Sequence, residues 1–419
     1  MPSSSGTFSA LFEDIWILGG RRTPWVDYCG ALGGVSPTDL GIQAARAAIA
    51  ECRVDPNEID SVLAGSMAQA DFDAYMLPRH IGLYSGVPVS VPALMVQRIC
   101  GTGFELFRQA ADQISLGYAQ LALVVGTESM TRNPIAAFTH RRGFTLGAAV
   151  EFKDFLWEAL IDPAPGISMI QTAENLAHRY GIEREDVDKY AALSFERALR
   201  AQSDGFLDGE IATATTEQYQ LDGYATRSLK LPRKQEPIAM DTHPRPTSVE
   251  TLARLKTVYD LGVQTAGNSA ALVDGAGAAL VAAGSLVRQK GWDPLVRLAG
   301  CALAGVPPEI MGIGPAPAMR ALLERAGLTV DDIDLFEVNE AQGAQVLAVK
   351  ADLDLPLDRL NVNGGSIALG HPLAATGVRL TLTVSRELVR RGGRYAMASA
   401  CIGGGQGIAV LVENLRARK

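Results

Sequence analysis

The chain has 419 residues, a formal charge of −8, 47% hydrophobic and 20% charged residues. That length allows two or three packed units. The acidic balance argues against the basic footprint of a nucleic-acid binder, and no apolar run reaches bilayer-spanning length. The cysteines, Cys29, Cys52, Cys100, Cys301 and Cys401, are odd in number, widely spaced and without a CxxC pair, so neither a disulfide framework, a structural zinc site nor any other metal site is expected. That usage fits a reducing, cytoplasmic setting. The opening MPSSSGTFSA lacks the charged start and apolar run of a signal peptide and reads as a frayed tail.

In chain order, the first organised block is AARAAIAECRVDPNEIDSVLAG (44–65), an amphipathic helix, a polar turn and an apolar strand. It returns as AMRALLERAGLTVDDIDLFEVN (318–339), with Arg46 matching Arg320 and Ile59-Asp60 matching Ile333-Asp334 at one constant offset. A second block, 99–129, has a Gly-containing turn, a long helix, a Gly break and the strand LALVVG; 369–400 repeats that layout and ends in YAMASA. Buried strands alternating with helices indicate α/β layers with sheets covered on both faces. The expected fold is α/β, with two similar halves facing each other across a pseudo-twofold axis.

Residues 131–262 break the pattern and read as an excursion from the first half. TAENLAHRYGIEREDVDKYAALSFERALRAQ (172–202) predicts two helices, with Thr172 or Asp186 as N-terminal caps. A long loop with short strands follows. The chain returns to the core at VQTAGNSAALVDGAGAALVAA. The expected division is 14–130 with 263–290, then an inserted loop domain at 131–262, then 291–419.

Four places carry chemistry. Cys100, in QRICGTG directly before a long helix, faces unpaired N–H groups and the positive end of the helix dipole. The dipole contributes about 0.3–1 kcal/mol, so it lowers a thiol pKa by about one unit at most and leaves a base still needed. His371, in NGGSIALGHPLAATG, starts the matching helix of the second half. Duplication places it at the point equivalent to Cys100, where it can take the thiol proton. Cys401 ends an apolar strand and runs into three glycines in CIGGGQG, a turn that brings backbone N–H groups close to a ligand. Asn339, in EVNEAQ, follows another strand and can hold a water at a thioester oxygen. Each also has a plainer reading, as a buried core cysteine, a capped histidine or a tight turn.

The order and spacing of QRICGTG, VNEA, NGGSIALGHPLAATG and CIGGGQG resemble the signature blocks of the thiolase family, and the likeness runs from about residue 14 to 414. GISMIQTAENLA, DGEI and TAGNSAALVDGAG are similar to further family segments. The resemblance implies a five-layer core of helices and mixed sheets with an inserted loop domain. It implies Cys100 as the acyl-carrying nucleophile and His371 as its activator. Asn339 would hold the water of one oxyanion hole, and Cys401 would be the acid/base. The N–H groups of Cys100 and Gly403 would form a second hole. It implies reversible CoA-dependent cleavage of 3-ketoacyl-CoA, with CoA and acyl-CoA as substrates, no tightly bound cofactor, and a homodimer or homotetramer.

The family's loop domain binds CoA, and Arg227, Lys230, Arg233, Lys234, Arg245, Arg254 and Lys256 offer a basic run there; Arg227 is the candidate contact. Ser269 is a second candidate, though the family's CoA-contacting serine aligns with Ala270. Gln342 stands where the family often has Phe, which makes the cleft wall more polar. TRNPIAAF (131–138) lacks the His that short-chain biosynthetic members carry near a Pro, which leans towards longer or unusual acyl groups. The alternatives are a non-catalytic acyl-CoA or lipid-binding relative and a decarboxylating condensing enzyme of the same fold; the latter gives a second cysteine in CIGGG no role.

Overall fold

A computed structural model describes residues 6–68, 71–72, 74–138 and 140–417. The main elements in chain order are β1 (Ile15–Arg22), α1 (Pro37–Cys52), β2 (Ser61–Gly65), α2 (Thr102–Ser115) and β3 (Leu121–Glu128). Next come α3 (Met169–Tyr180), α4 (Arg184–Ser203), β4 (Val273–Ala283), β5 (Val296–Gly305) and α5 (Pro315–Ala326). The chain closes with β6 (Leu335–Val338), α6 (Gly343–Leu353), α7 (Leu373–Arg391), β7 (Tyr395–Ile402) and β8 (Gln406–Glu413).

The first half orders its strands β1-β4-β3-β2 and the second β5-β8-β7-β6, with the same antiparallel, antiparallel, parallel sequence of pairings. The duplication extends to irregularities. Leu18 is skipped where β1 pairs β4, and Ala299 is skipped where β5 pairs β8, so each half carries one bulge at the corresponding place. Asp60 accepts from the N–H groups of Gln120 and Leu121, and Asp334 accepts from those of Arg394 and Tyr395. Each aspartate clasps the start of the neighbouring strand, which explains why the Ile-Asp match stands out in the sequence.

Among the described residues the two half-sheets are continuous. β1 pairs β5 at Ile17–Val296 and Trp16–Arg297, and this short seam joins eleven strands. Beyond the seam β5 would expose an unpaired edge; Thr7–Leu11 covers it as an antiparallel strand. The expected frayed tail is therefore ordered from Thr7, and residues 1–5 lie outside the described part.

Helix α1 covers one face of the first half-sheet, α2 and α7 lie between the half-sheets, and α5 covers the outer face of the second. Buried Phe104, Phe107 and Ile114 of α2 and Val378 and Leu382 of α7 fill the central layer, each contributing about 1.5–3 kcal/mol. The two helices cross at glycine: a Cβ built on Gly103 falls 2.5 Å from Val378 N and 2.8 Å from Gly377 Cα. Only residues without a side chain allow that approach.

Residues 131–262 add no described strand to the large sheet; their short strands pair among themselves. Helices α3 and α4 pack instead on the second half, with Leu176, Tyr190 and Phe195 in one cluster with Met319 and Val346. Both predicted helices form, but their caps differ from expectation. Ser168 caps α3, while Thr172 lies one turn inside and donates to Met169 O. Glu183 occupies the cap position of α4, and Asp186 closes its capping box from the third helical position.

Candidate active site

Cys100 sits on a single 3₁₀ turn, Ile99–Gly101, that leads into α2. Ile99 holds φ at +46°, an uncommon conformation for a β-branched residue and one found at functional turns. The turn is fastened from both sides: Thr102 Oγ1 accepts from Arg98 N (2.9 Å) and donates to Ile99 O (2.7 Å). Arg98 reaches Glu105 and Gln406, so the turn is tied to its own helix and to β8 of the other half.

Burial pushes the Cys100 thiol up to about 11, while N–H groups of Gly403 and of Cys100 itself, both donating to its sulfur, pull the other way. The helix-start expectation of a lowered thiol is thus not met: burial of the sulfur outweighs the N–H groups that donate to it. Cys401, at the end of β7, is also fully buried and pushed up, first by burial and then by the neighbouring Cys100 sulfur. The two thiols therefore stand within each other's field, one from each half. Met130, Leu156 and Leu373 pack with Cys100, whereas Met311 and Ala341 pack with Cys401.

His371 is buried, and burial lowers its pKa to about 4. Its orientation can be read from its partners. Asn339 Oδ1 accepts from Ser366 Oγ (2.7 Å), which turns Asn339 Nδ2 towards His371 Nε2 at 3.3 Å. A donor on that side leaves Nε2 as the lone-pair nitrogen, with the proton on Nδ1, 2.6 Å from Thr376 Oγ1. A neutral imidazole with an unprotonated Nε2 can take a proton. Ser366 and Thr376 escaped the sequence reading, although both lie inside the quoted NGGSIALGHPLAATG block.

Equivalence of Cys100 and His371 needs correcting. The strand register aligns Cys100 with Ala374 and His371 with Gln97, three residues away in each case. The pseudo-twofold relates the turns that carry the two residues, not the residues themselves.

The remaining candidates have defined surroundings. Arg227 donates from Nε to Asp39 Oδ1 (2.7 Å) and from Nη2 to Ser36 Oγ (3.2 Å), at the first turn of α1. Ser269 donates to Gln264 Oε1 (3.2 Å), and its backbone bridges Gln342. Gln264 Nε2 and Gln342 Oε1 are buried without a protein partner. A surface cavity of about 870 Å³ lies elsewhere, between α4 and α6, and none of these candidates lines it. The site is defined by convergent groups, not by that cavity.

The chain matches the family described as thiolase, N-terminal domain, over residues 15–285 and the thiolase, C-terminal domain, over 292–414. It is 42% identical to the mitochondrial 3-ketoacyl-CoA thiolase of Bos taurus over 97% of this chain and 99% of that protein.

The chain belongs to the thiolase family.

A beta-ketoadipyl-CoA thiolase of Acinetobacter baylyi is 39% identical, over 96% of this thiolase and 99% of its own length. The crystal structure of human mitochondrial 3-ketoacyl-CoA thiolase superposes with a TM-score of 0.91 at 41% identity, covering 97% of this chain and 100% of that one. A second human structure, in complex with CoA, gives 0.90 at 41% identity, over 96% and 98% of the chains. Relatives named mitochondrial conflict with the cytoplasmic expectation for this thiolase. That expectation rested on free cysteines and on the absence of a signal-peptide pattern, which a reducing organelle interior satisfies equally. Among the described residues no helix is long and apolar enough to cross a membrane.

Proposed function

We propose that this thiolase performs its reaction with Cys100, His371, Asn339, Cys401 and Gly403. The family reaction is the reversible CoA-dependent cleavage of 3-ketoacyl-CoA to acetyl-CoA and a shortened acyl-CoA. The observation that carries the assignment is the meeting of two buried thiols from opposite halves, one of them receiving the Gly403 N–H.

In cleavage, His371 Nε2 takes the Cys100 proton and the thiolate adds to the 3-keto carbon. The oxygen of that tetrahedral adduct lies within reach of the N–H groups of Cys100 and Gly403. The C2–C3 bond breaks, and its electron pair leaves as the acetyl-CoA enolate. Imidazolium, with water held by Asn339, stabilises the enolate oxygen, and Cys401 gives its proton to the carbon. The Cys401 thiolate then takes the proton of incoming CoA-SH, whose sulfur attacks acyl-Cys100. Cys100 leaves and recovers its proton from His371. A neutral resting histidine and two protonated thiols are the starting states this sequence needs.

CoA is the substrate on both sides of the reaction. The exposed Lys230, Arg233, Lys234, Arg245, Arg254 and Lys256 are a basic surface suited to its phosphates, and Arg227 anchors that surface to α1 through Asp39. Ser269, with the unpartnered Gln264 Nε2 and Gln342 Oε1 beside it, supplies a polar wall. That wall and the lack of histidine in 131–138 favour longer or unusual acyl groups over acetoacetyl alone. The functional division follows as 14–130 with 263–290, an inserted 131–262, and 291–419. We also propose a homodimer or homotetramer. Exposed Phe138, Phe144, Leu146, Phe152 and Trp157, and the free sheet edge at Ala93–Met95, support it.

The test is CoA-dependent loss of 3-ketoacyl-CoA absorbance across chain lengths, with Cys100→Ala as control. Wild-type turnover together with a Cys100-linked acyl group in the mass spectrum supports the assignment. Binding of acyl-CoA with no covalent adduct and no turnover at any chain length would overturn it in favour of a binding relative.

A further inference from the structure

Glu128 ends β3 with its side chain fully buried. Its Oε1 accepts from Ser66 Oγ (3.1 Å) and Ala68 N (3.0 Å); its Oε2 accepts from Met67 N (3.0 Å) and Ala374 N (3.1 Å). Each oxygen thus receives two donors, and three of the four are backbone N–H groups, which cannot accept a carboxyl proton. That coordination belongs to an ionised carboxylate, even though burial pushes its pKa up.

The groups it grips are the walls of the nucleophile. Met67 and Leu373 both pack in the small apolar cluster around Cys100. Glu128 binds the first through its own N–H and the second through the N–H of the adjoining Ala374. The donors also come from both halves: Ser66–Ala68 follow β2, and Ala374 opens α7. The strand register places Ile402 at the corresponding position of the second half, so the scaffold itself does not require a charge there. Among the described residues, the charged or titratable side chains that act on the Cys100 sulfur are Glu128 from β3 and Cys401 from β7.

We propose that Glu128 is a positioning residue for the nucleophile, an anionic strut that locks the two halves together around Cys100 and sets a fixed negative charge beside its sulfur. The charge adds to burial in opposing a lone thiolate, so Cys100 rests as a thiol. Moving the proton to His371 creates a cation within the site, and only then does the local charge balance favour ionised sulfur.

The proposal rests on Cys100 as nucleophile, but its test does not need turnover. In Glu128→Gln the charge is gone, and the amide accepts at one oxygen only. The rate of iodoacetamide labelling of the Cys100 peptide, followed by mass spectrometry against pH, is expected to shift its midpoint to lower pH. In the same variant kcat should fall, with KM for CoA little changed. A folded Glu128→Gln protein with the wild-type midpoint would overturn the proposal. If that variant does not fold, Ser66→Ala keeps the charge and removes one donor. Its midpoint is then expected to move up, and an unmoved midpoint overturns the proposal equally. Loss of turnover in wild type, with the labelling shifts intact, would sink the catalytic assignment and leave the strut standing.

Discussion

The two halves share a backbone and divide the proposed chemistry unequally. Strand order, the bulges at Leu18 and Ala299, the clasps at Asp60 and Asp334, and the crossing glycines Gly103 and Gly377 occur in both. The groups proposed to react do not. The first half supplies Cys100; the second supplies Asn339, His371, Cys401 and Gly403. Where the second half has Asn339 and Cys401, the register puts Gly65 and Thr127 in the first. Duplicated features hold the chain's shape, whereas the differing residues lie at strand ends and in the turns before helices.

The comparison breaks most severely at the crossing. Gly103→Leu places a side chain against the backbone of Val378, which cannot retreat without opening the central layer. Little folded protein is expected, as judged by yield and by the loss of a cooperative melt; overpacking alone costs about 1–3 kcal/mol where neighbours can shift. His371→Ala should leave the fold intact and lower turnover by about 10²–10⁴-fold, whereas Gln97→Ala, at the corresponding place in the first half, should leave the rate within about twofold of wild type. Equal losses from the two would sink the unequal division of labour.

The clasps sharpen the comparison by their likeness. Asp60→Asn and Asp334→Asn each weaken a carboxylate that accepts two N–H groups, so similar losses of about 1–2 kcal/mol are expected in chemical denaturation. A large disparity would show that the halves do not rely on the same device.

The smallest effect is a dependence on pH. Glu337 is buried 4.0 Å from Arg379, and burial pushes its pKa to about 8; the first half has Leu63 at the same register position. A carboxyl group whose folded pKa is raised binds more protons folded than unfolded. Stability attributable to it therefore falls as pH rises from the ordinary carboxylate range towards 8. Glu337→Gln should flatten that slope, and melting temperatures taken across the window will show whether it does.

Much of this was legible in the sequence, because the duplication writes the same helix–turn–strand pattern twice and its glycines sit beside the reactive residues. Cys100, His371 and Cys401 stood out through unusual neighbours. What escaped depended on non-local contacts. No local pattern marks Thr7–Leu11 as the strand that covers β5, or shows that the half-sheets meet at a two-residue seam. The helix-start argument for Cys100 was sound about the dipole, but it could not weigh the burial of the sulfur by Met130, Leu156 and Leu373. Ser366 and Thr376 look like ordinary helix-forming residues until Asn339 and His371 are folded against them.

The glycine crossing has a bearing on how such a cleft can change. Where two helices touch through their backbones, their separation is fixed by atomic radii that no substitution elsewhere can alter. The spacing between the Cys100 turn and the start of α7 is therefore insulated from the side chains that fill the rest of the core. Side chains packed on that turn, such as Met130 and Leu156, can be exchanged for others without changing this spacing.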